Sequence, residues 1–199
     1  MGNKIRLIVM EGHDRTGKDT LMDMLKFEDF LVYKQPETEA QDTDYKNPEK
    51  FEAFMVKWIR KVLDDLYTMS KLNGTDRPIV MSRLWLTDNV FADMYGREHV
   101  VEKYFLREIE ANFDVTNYIL LWREYDEYVK RMKKIGGTID FTPQEFDDIV
   151  SGFSQYKKAD DEVVLVECDD TKETIYNDFM STFGEETPRN RMKNEDSLK

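Results

Sequence analysis

The chain has 199 residues, 40% hydrophobic and 13% aromatic, enough for one globular domain with a substantial core. A formal net charge of −12 argues against the broad basic surface that long nucleic acid requires. It leaves room for a small anion held by a few inward-pointing basic groups. No apolar run approaches the roughly 20 residues of a membrane span. MGNKIRLIVM lacks the small-residue cleavage pattern of a signal peptide. The single cysteine, Cys168, excludes an internal disulfide and a cysteine metal cluster. The expectation is a soluble, cytoplasmic protein with no membrane partner.

Short apolar runs alternate with longer helical patterns. Lys4–Met10 predicts a first strand and Thr16–Lys26 the helix after it, with Phe30–Tyr33 a short second strand. Asn47-Pro48 supplies an N-cap with proline at the first helical position. Phe51, Phe54, Met55, Trp58, Val62, Leu66 and Met69 then recur at three- and four-residue intervals, the stripe of a long amphipathic helix ending near Asn73-Gly74. Pro78–Ser82 predicts a third strand, Thr87–Asn112 helical segments, Tyr118–Trp122 a fourth strand and Glu124–Ile135 a helix leading to Gly136-Gly137. Thr142-Pro143-Gln144-Glu145 forms a capping box opening another helix. Glu162–Glu167 is the last strand and Thr171–Phe183 the last helix, with a polar tail over 184–199. The pattern predicts an α/β fold with a central parallel five-stranded sheet and helices on both faces, whose ligands sit at the carboxyl ends of the strands.

At that edge, after the first strand, Gly12 to Lys18 satisfies G-x-x-x-x-G-K. The glycines let backbone N–H groups curl round phosphate oxygens, the following helix adds its dipole, and Lys18 reaches the β- and γ-phosphates. The residue after the lysine is ordinarily Ser or Thr, whose hydroxyl ligates Mg²⁺; here it is Asp19, followed by Thr20. Asp19 is either a hard oxygen ligand for that ion or an acid favouring the first helical turn.

MEGHDRTGKDTL resembles the phosphate loop of thymidylate kinases, matching at Glu11, Gly12, Asp14, Gly17, Lys18 and Thr20. Arg15 matches the subgroup that carries its catalytic arginine in this loop and lacks one in its lid. KKIGGTID, the lid expected at about 133–142, contains no arginine. The wider resemblance, roughly residues 4 to 183, is to the thymidylate and deoxynucleoside kinases. It implies one P-loop kinase domain over 1–183, ATP and Mg²⁺ as cofactors, and Mg²⁺ held by Asp19.

In that resemblance Arg15, Lys18 and Asp14 carry catalysis. Gly12, His13, Thr16, Gly17 and Thr20 join Lys18 and Asp19 around the nucleotide, with Arg131 nearby. Asp14, Phe54, Arg60, Arg83 and Glu37 face the acceptor. PIVMSRLW aligns Arg83 with the family's D-R-Y or E-R-S arginine, but Ser82 replaces the acid. YKQPETEAQ lacks the arginine with which thymidylate kinases hold the acceptor phosphate, and Gln35-Pro36-Glu37 only loosely resembles the Glu-Pro of deoxynucleoside kinases.

The expected reaction is phosphoryl transfer from ATP to a (deoxy)nucleoside monophosphate. The alternatives are a deoxynucleoside kinase acting on a 5′-hydroxyl, a polynucleotide kinase, and a nucleotide-binding switch without transfer. The partner is a small nucleotide, and a homodimer is compatible with the sequence. An aromatic stripe at helical spacing also suits a core, so Phe54 can stack on a base or simply pack. His13 is expected to be solvated and His99 to lie on the surface. The acidic clusters at Asp64-Asp65, Asp147-Asp148 and 160–162 read as solvated faces or caps.

Overall fold

The computed structural model describes residues 4–13, 15–34, 47–72, 77–159, 163–168 and 171–186. Asp14, the Gln35-Pro36-Glu37 segment and the expected helix end at Asn73-Gly74 lie outside the described residues. Strands β1 (Ile5–Glu11), β2 (Leu31–Tyr33), β3 (Ile79–Ser82), β4 (Phe113–Leu121) and β5 (Val164–Glu167) form one parallel sheet in the order β2-β3-β1-β4-β5. The helices are α1 (Lys18–Leu25), α2 (Pro48–Leu72), α3 (Trp85–Tyr95), α4 (Val100–Tyr104), α5 (Leu106–Asn112), α6 (Tyr125–Ile135), α7 (Pro143–Ala159) and α8 (Lys172–Phe183).

The central strand β1 is apolar on both faces because both are covered. Leu7 and Val9 pack into one core with Ile59 and Val62 of α2, Val90 of α3, Met132 of α6 and Phe153 of α7. Ile8 and Met10 pack into the other, with Leu21 and Leu25 of α1 and Phe179 of α8. Three layers result, with both loops that follow β1 and β3 emerging at the same sheet edge.

The local signals set the helix starts. Asn47 Oδ1 accepts from Lys50 N at 3.1 Å, capping α2 just before Pro48. In the capping box, Thr142 Oγ1 accepts from Glu145 N at 3.3 Å, while Glu145 Oε2 accepts from Thr142 N at 2.8 Å. Several boundaries differ from expectation, these among them. Strand β4 begins at Phe113, five residues before the expected Tyr118, because Asp114 is neutralised by Arg6 of β1 at 2.6 Å across the pair. The stretch expected as helical over Thr87–Asn112 is three helices, the first closed by Gly96 at φ 62 and the last two separated at Phe105. The tail opens with a short 3₁₀ turn over Gly184–Glu186. No helix among the described residues is long and apolar enough to cross a membrane.

Candidate functional site

The loop between β1 and α1 leaves the sheet at Gly12, where only glycine fits. Its φ is 122, and a Cβ there would lie 2.0 Å from the Leu120 carbonyl oxygen. Gly17, at φ 93, turns the chain into α1 and leaves Thr16 in the loop. Lys18 is buried and its Nζ donates to Gly12 O at 2.9 Å, His13 O at 2.5 Å and Thr16 Oγ1 at 3.1 Å. Burial lowers its pKa to about 8, and an anion beside it would raise it again.

Glu11 ties the loop after β3 to the end of β1. Its buried carboxylate accepts from Leu84 N at 3.1 Å, Leu86 N at 3.2 Å, Thr87 N at 3.2 Å and the Thr87 hydroxyl at 2.6 Å. It therefore satisfies the first turn of α3, and burial pushes its pKa up against those bonds. The neighbouring Arg83 N donates to Met10 O at 2.8 Å.

Arg15 and Arg83 are the two non-glycine residues at positive φ among the described residues, at 63 and 56. Such a conformation costs about 1–3 kcal/mol and persists only where the surroundings hold it. Here Trp122 Nε1 donates to Arg15 O at 3.2 Å, and the Met10 carbonyl holds Arg83. Both strained residues are arginines at one cleft.

Three cavities adjoin at this edge. A cleft of about 460 Å³ beside the loop, called the phosphate cleft below, is lined by Arg15, Lys18, Asp19, Ser82, Arg83 and Arg131 among others. A second, also about 460 Å³, is lined by Phe51, Phe54, Trp58, Phe91, Asp88 and Arg97 among others, and shares Arg83 and Asp140 with the first. A third, about 330 Å³, lies on the far side against Trp122, Cys168 and Thr171, sharing Arg15 and Arg131 with the first. The order is an aromatic chamber, a cationic middle and a smaller chamber beyond. That sequence of linings accommodates two flat organic groups joined through anionic ones.

No protein-family model matches the chain, and no curated protein matches it by sequence. Solved structures do. Deoxyadenosine kinase from M. mycoides with bound dATP superposes with a TM-score of 0.61 at 15% identity, over 89% of this chain and 98% of that one. Thymidylate kinase from Candida albicans gives 0.59 at 16% identity, over 92% and 93%. The YorR protein from Bacillus subtilis, in complex with phosphorylated GDP, gives 0.56 at 15% identity, over 90% and 96%. The fold is that of the P-loop nucleoside and nucleotide kinases.

Within this fold, the phosphate cleft brings together Arg15, Thr16, Gly17, Lys18, Asp19, Thr20, Arg83 and Arg131 of the residues singled out in the sequence. Phe54 lines the aromatic cleft. Gly12 gives its carbonyl to Lys18. Arg60 is not brought to either cleft: its guanidinium pairs with Glu108 at 3.0 Å and stacks 5.0 Å above Phe105. Asp14 and Glu37 lie outside the described residues.

His13 corrects the expectation of a solvated residue. It is fully buried, its Nε2 accepts from Trp122 N at 3.1 Å, and the rings of Tyr128, Phe141 and Phe146 surround it. Burial lowers its pKa to about 3, so the ring is neutral at physiological pH. His99, half-buried, contacts Asp93 at 2.7 Å and Glu102 at 3.4 Å, which raise its pKa against partial burial.

Several residues at the clefts carried no motif, among them Asp140, Asp88, Arg97 and Trp122. Asp140 sits in the expected lid and Asp88 follows the Ser82-Arg83 strand end; both line the aromatic cleft. The Asp88 carboxylate is buried and accepts from Val101 N at 3.1 Å. Arg97 follows the Gly96 turn, and its guanidinium lies 3.9 Å over the Phe51 ring. Trp122 was expected only as the end of the fourth strand.

The donor set of the phosphate cleft suits the hard cation expected from the sequence. Asp19, Ser82 and Asp140 offer hard oxygens beside Lys18. Among the described residues no group of three or more His, Cys, Asp or Glu is poised to hold a metal alone.

Proposed function

We propose that the chain catalyses phosphoryl transfer from ATP to a (deoxy)nucleoside monophosphate. The observation that carries this reading is the wall shared by the phosphate and aromatic clefts, where Arg83 and Asp140 stand. A triphosphate gripped by the loop and a nucleotide seated beside Phe54 would present their reacting atoms at that junction.

The chemistry asks the protein for alignment and charge neutralisation. Lys18 and the loop amides grip the donor phosphates, Arg131 borders them, and Arg15 offsets charge on the transferring group. Asp19 would hold Mg²⁺ together with the phosphates, and the ion supplies further neutralisation when bound. Arg83 takes the acceptor phosphate and Asp14 orients the acceptor. The bond from the γ-phosphorus to its bridging oxygen breaks, a bond to an acceptor phosphate oxygen forms, and ADP departs. A phosphate acceptor, with a second pKa near about 6, is already ionised and needs no base.

One observation favours a second reading, transfer to a nucleoside 5′-hydroxyl. The Asp140 carboxylate at the junction would repel an acceptor phosphate but could take a hydroxyl proton. Purified protein with ATP, Mg²⁺ and a panel of nucleosides, monophosphates and oligonucleotides separates these. Labelled diphosphates support the first reading and labelled monophosphates the second. Binding of ATP with no acceptor labelled would sink both in favour of a nucleotide-binding switch.

A further inference from the structure

His13 belongs to two parts of the molecule at once. Its backbone is in the phosphate loop, where its carbonyl accepts from the Lys18 ammonium. Its side chain reaches the other way, into the rings that support the lid. The imidazole meets Phe146 of α7 edge-on at 5.3 Å between centroids, Tyr128 of α6 at 5.8 Å and Phe141 at 6.4 Å. Of those rings, Tyr128 holds the lid segment by its backbone, its hydroxyl accepting from Asp140 N at 3.2 Å; Tyr125, 5.6 Å from Phe146 between centroids, donates its hydroxyl to Phe141 O at 3.1 Å. Asp140 and Phe141 line the aromatic cleft.

We infer that His13 is a positioning residue that couples the phosphate loop to the lid wall of the acceptor cleft, so that donor and acceptor each tighten the other's binding. This rests on the kinase reading above. The mechanism is steric. Interiors packed by rings do not deform continuously, so a loop shifted by phosphate contacts carries the imidazole with it and the imidazole carries Phe141. The bond from Trp122 N fixes the ring orientation, since Nε2 must be the acceptor and the proton of the neutral ring then sits on Nδ1. The same tryptophan holds the Arg15 carbonyl, so the pin and the strained arginine share one support. A neutral imidazole transmits this push without bringing a charge into an aromatic pocket.

The test compares full-length wild type with His13→Ala, His13→Gln and Phe146→Leu. The affinity of the β,γ-imido analogue of ATP is measured by calorimetry with and without the best acceptor from the panel, beside steady-state kcat and KM. In wild type each ligand should tighten the other by about fivefold or more. His13→Ala should reduce that factor towards one and raise the acceptor KM at saturating ATP, whatever its effect on binding of the analogue alone. His13→Gln, whose amide oxygen can still accept from Trp122 N, should recover part of the factor. Phe146→Leu, which lines neither cleft, should weaken it from the other end and serves if His13→Ala does not fold. A purely structural residue would lower thermal stability and leave the factor intact. Full synergy in folded His13→Ala or in Phe146→Leu, or none in an active wild type, overturns the coupling. A wild type that binds nucleotide but labels no acceptor fails the kinase reading instead.

Discussion

The Thr87 hydroxyl donates to the buried Glu11 carboxylate at 2.6 Å, fastening the first turn of α3 to the last residue of β1. Three backbone N–H groups from Leu84, Leu86 and Thr87 converge on the same carboxylate. The segment carrying Arg83 is thereby fixed relative to the phosphate loop.

Glu11→Gln should therefore be damaging despite its equal size. The amide presents an N–H face to groups that are all donors, leaving at least one buried N–H unsatisfied. The expected loss is about 1–3 kcal/mol of stability. Differential scanning calorimetry should show a melting temperature lower by several degrees, with kcat reduced because Arg83 is no longer held. An unchanged melting temperature would show that the carboxylate is dispensable to α3.

His13 makes stability depend on pH in a defined direction. Its folded pKa is lowered by burial from 6.5 to about 3, so its contribution is present above the unfolded value and is lost as pH falls from 6.5 towards about 3. Urea unfolding at about pH 7 and about pH 4.5 should show wild type losing more than His13→Gln, by on the order of 2–3 kcal/mol. Equal losses in the two proteins would mean that His13 is solvated after all.

Phe54 and Arg60 share α2 but should behave oppositely. Phe54→Ala removes an aromatic face from the acceptor cleft, and base stacking on such a face is worth about 1–3 kcal/mol. Acceptor KM should rise about tenfold with the ATP KM little changed. Arg60→Ala breaks an exposed pair with Glu108, worth under about 1 kcal/mol, and should leave both KM values alone. Initial-rate measurements at varied acceptor decide both.

Asp19 and Ser82 line one cleft, so the carboxylate serving Mg²⁺ can stand on the loop in place of the strand end. Asp19→Ser should weaken Mn²⁺ binding in the presence of ATP by about tenfold or more, read by electron paramagnetic resonance. Adding Ser82→Asp should recover part of it. Equal Mn²⁺ affinity in Asp19→Ser and the parent would reduce Asp19 to a helix-favouring acid.

The features legible in the sequence were those written locally. The apolar run before Gly12, the loop glycines, the Asn47-Pro48 cap and the Thr142–Glu145 box each declare themselves within a few residues. The start of β4 did not, because Asp114 interrupts the apolar run and its neutralising partner is Arg6, far back in the chain. The burial of His13 was hidden for the same reason: the rings that enclose it come from α6, α7 and the segment between them. Arg60 looked like an acceptor ligand because helical spacing gives a face but not the neighbour. That neighbour is Glu108 of α5. Arg97 and Asp140 carried no motif, since only the fold brings them to the aromatic cleft.

The central claim is that donor and acceptor clefts meeting at Arg83 serve transfer and not mere binding. Arg15→Ala tests it most directly, measured with γ-labelled ATP, Mg²⁺ and the acceptor panel, with ATP affinity determined on the same preparation. The account predicts label in a nucleoside diphosphate (or, for a hydroxyl acceptor, a monophosphate) with wild type. Arg15→Ala should then lower kcat by about 10³-fold while ATP affinity changes little. Tight ATP binding by wild type with no label in any acceptor would contradict it.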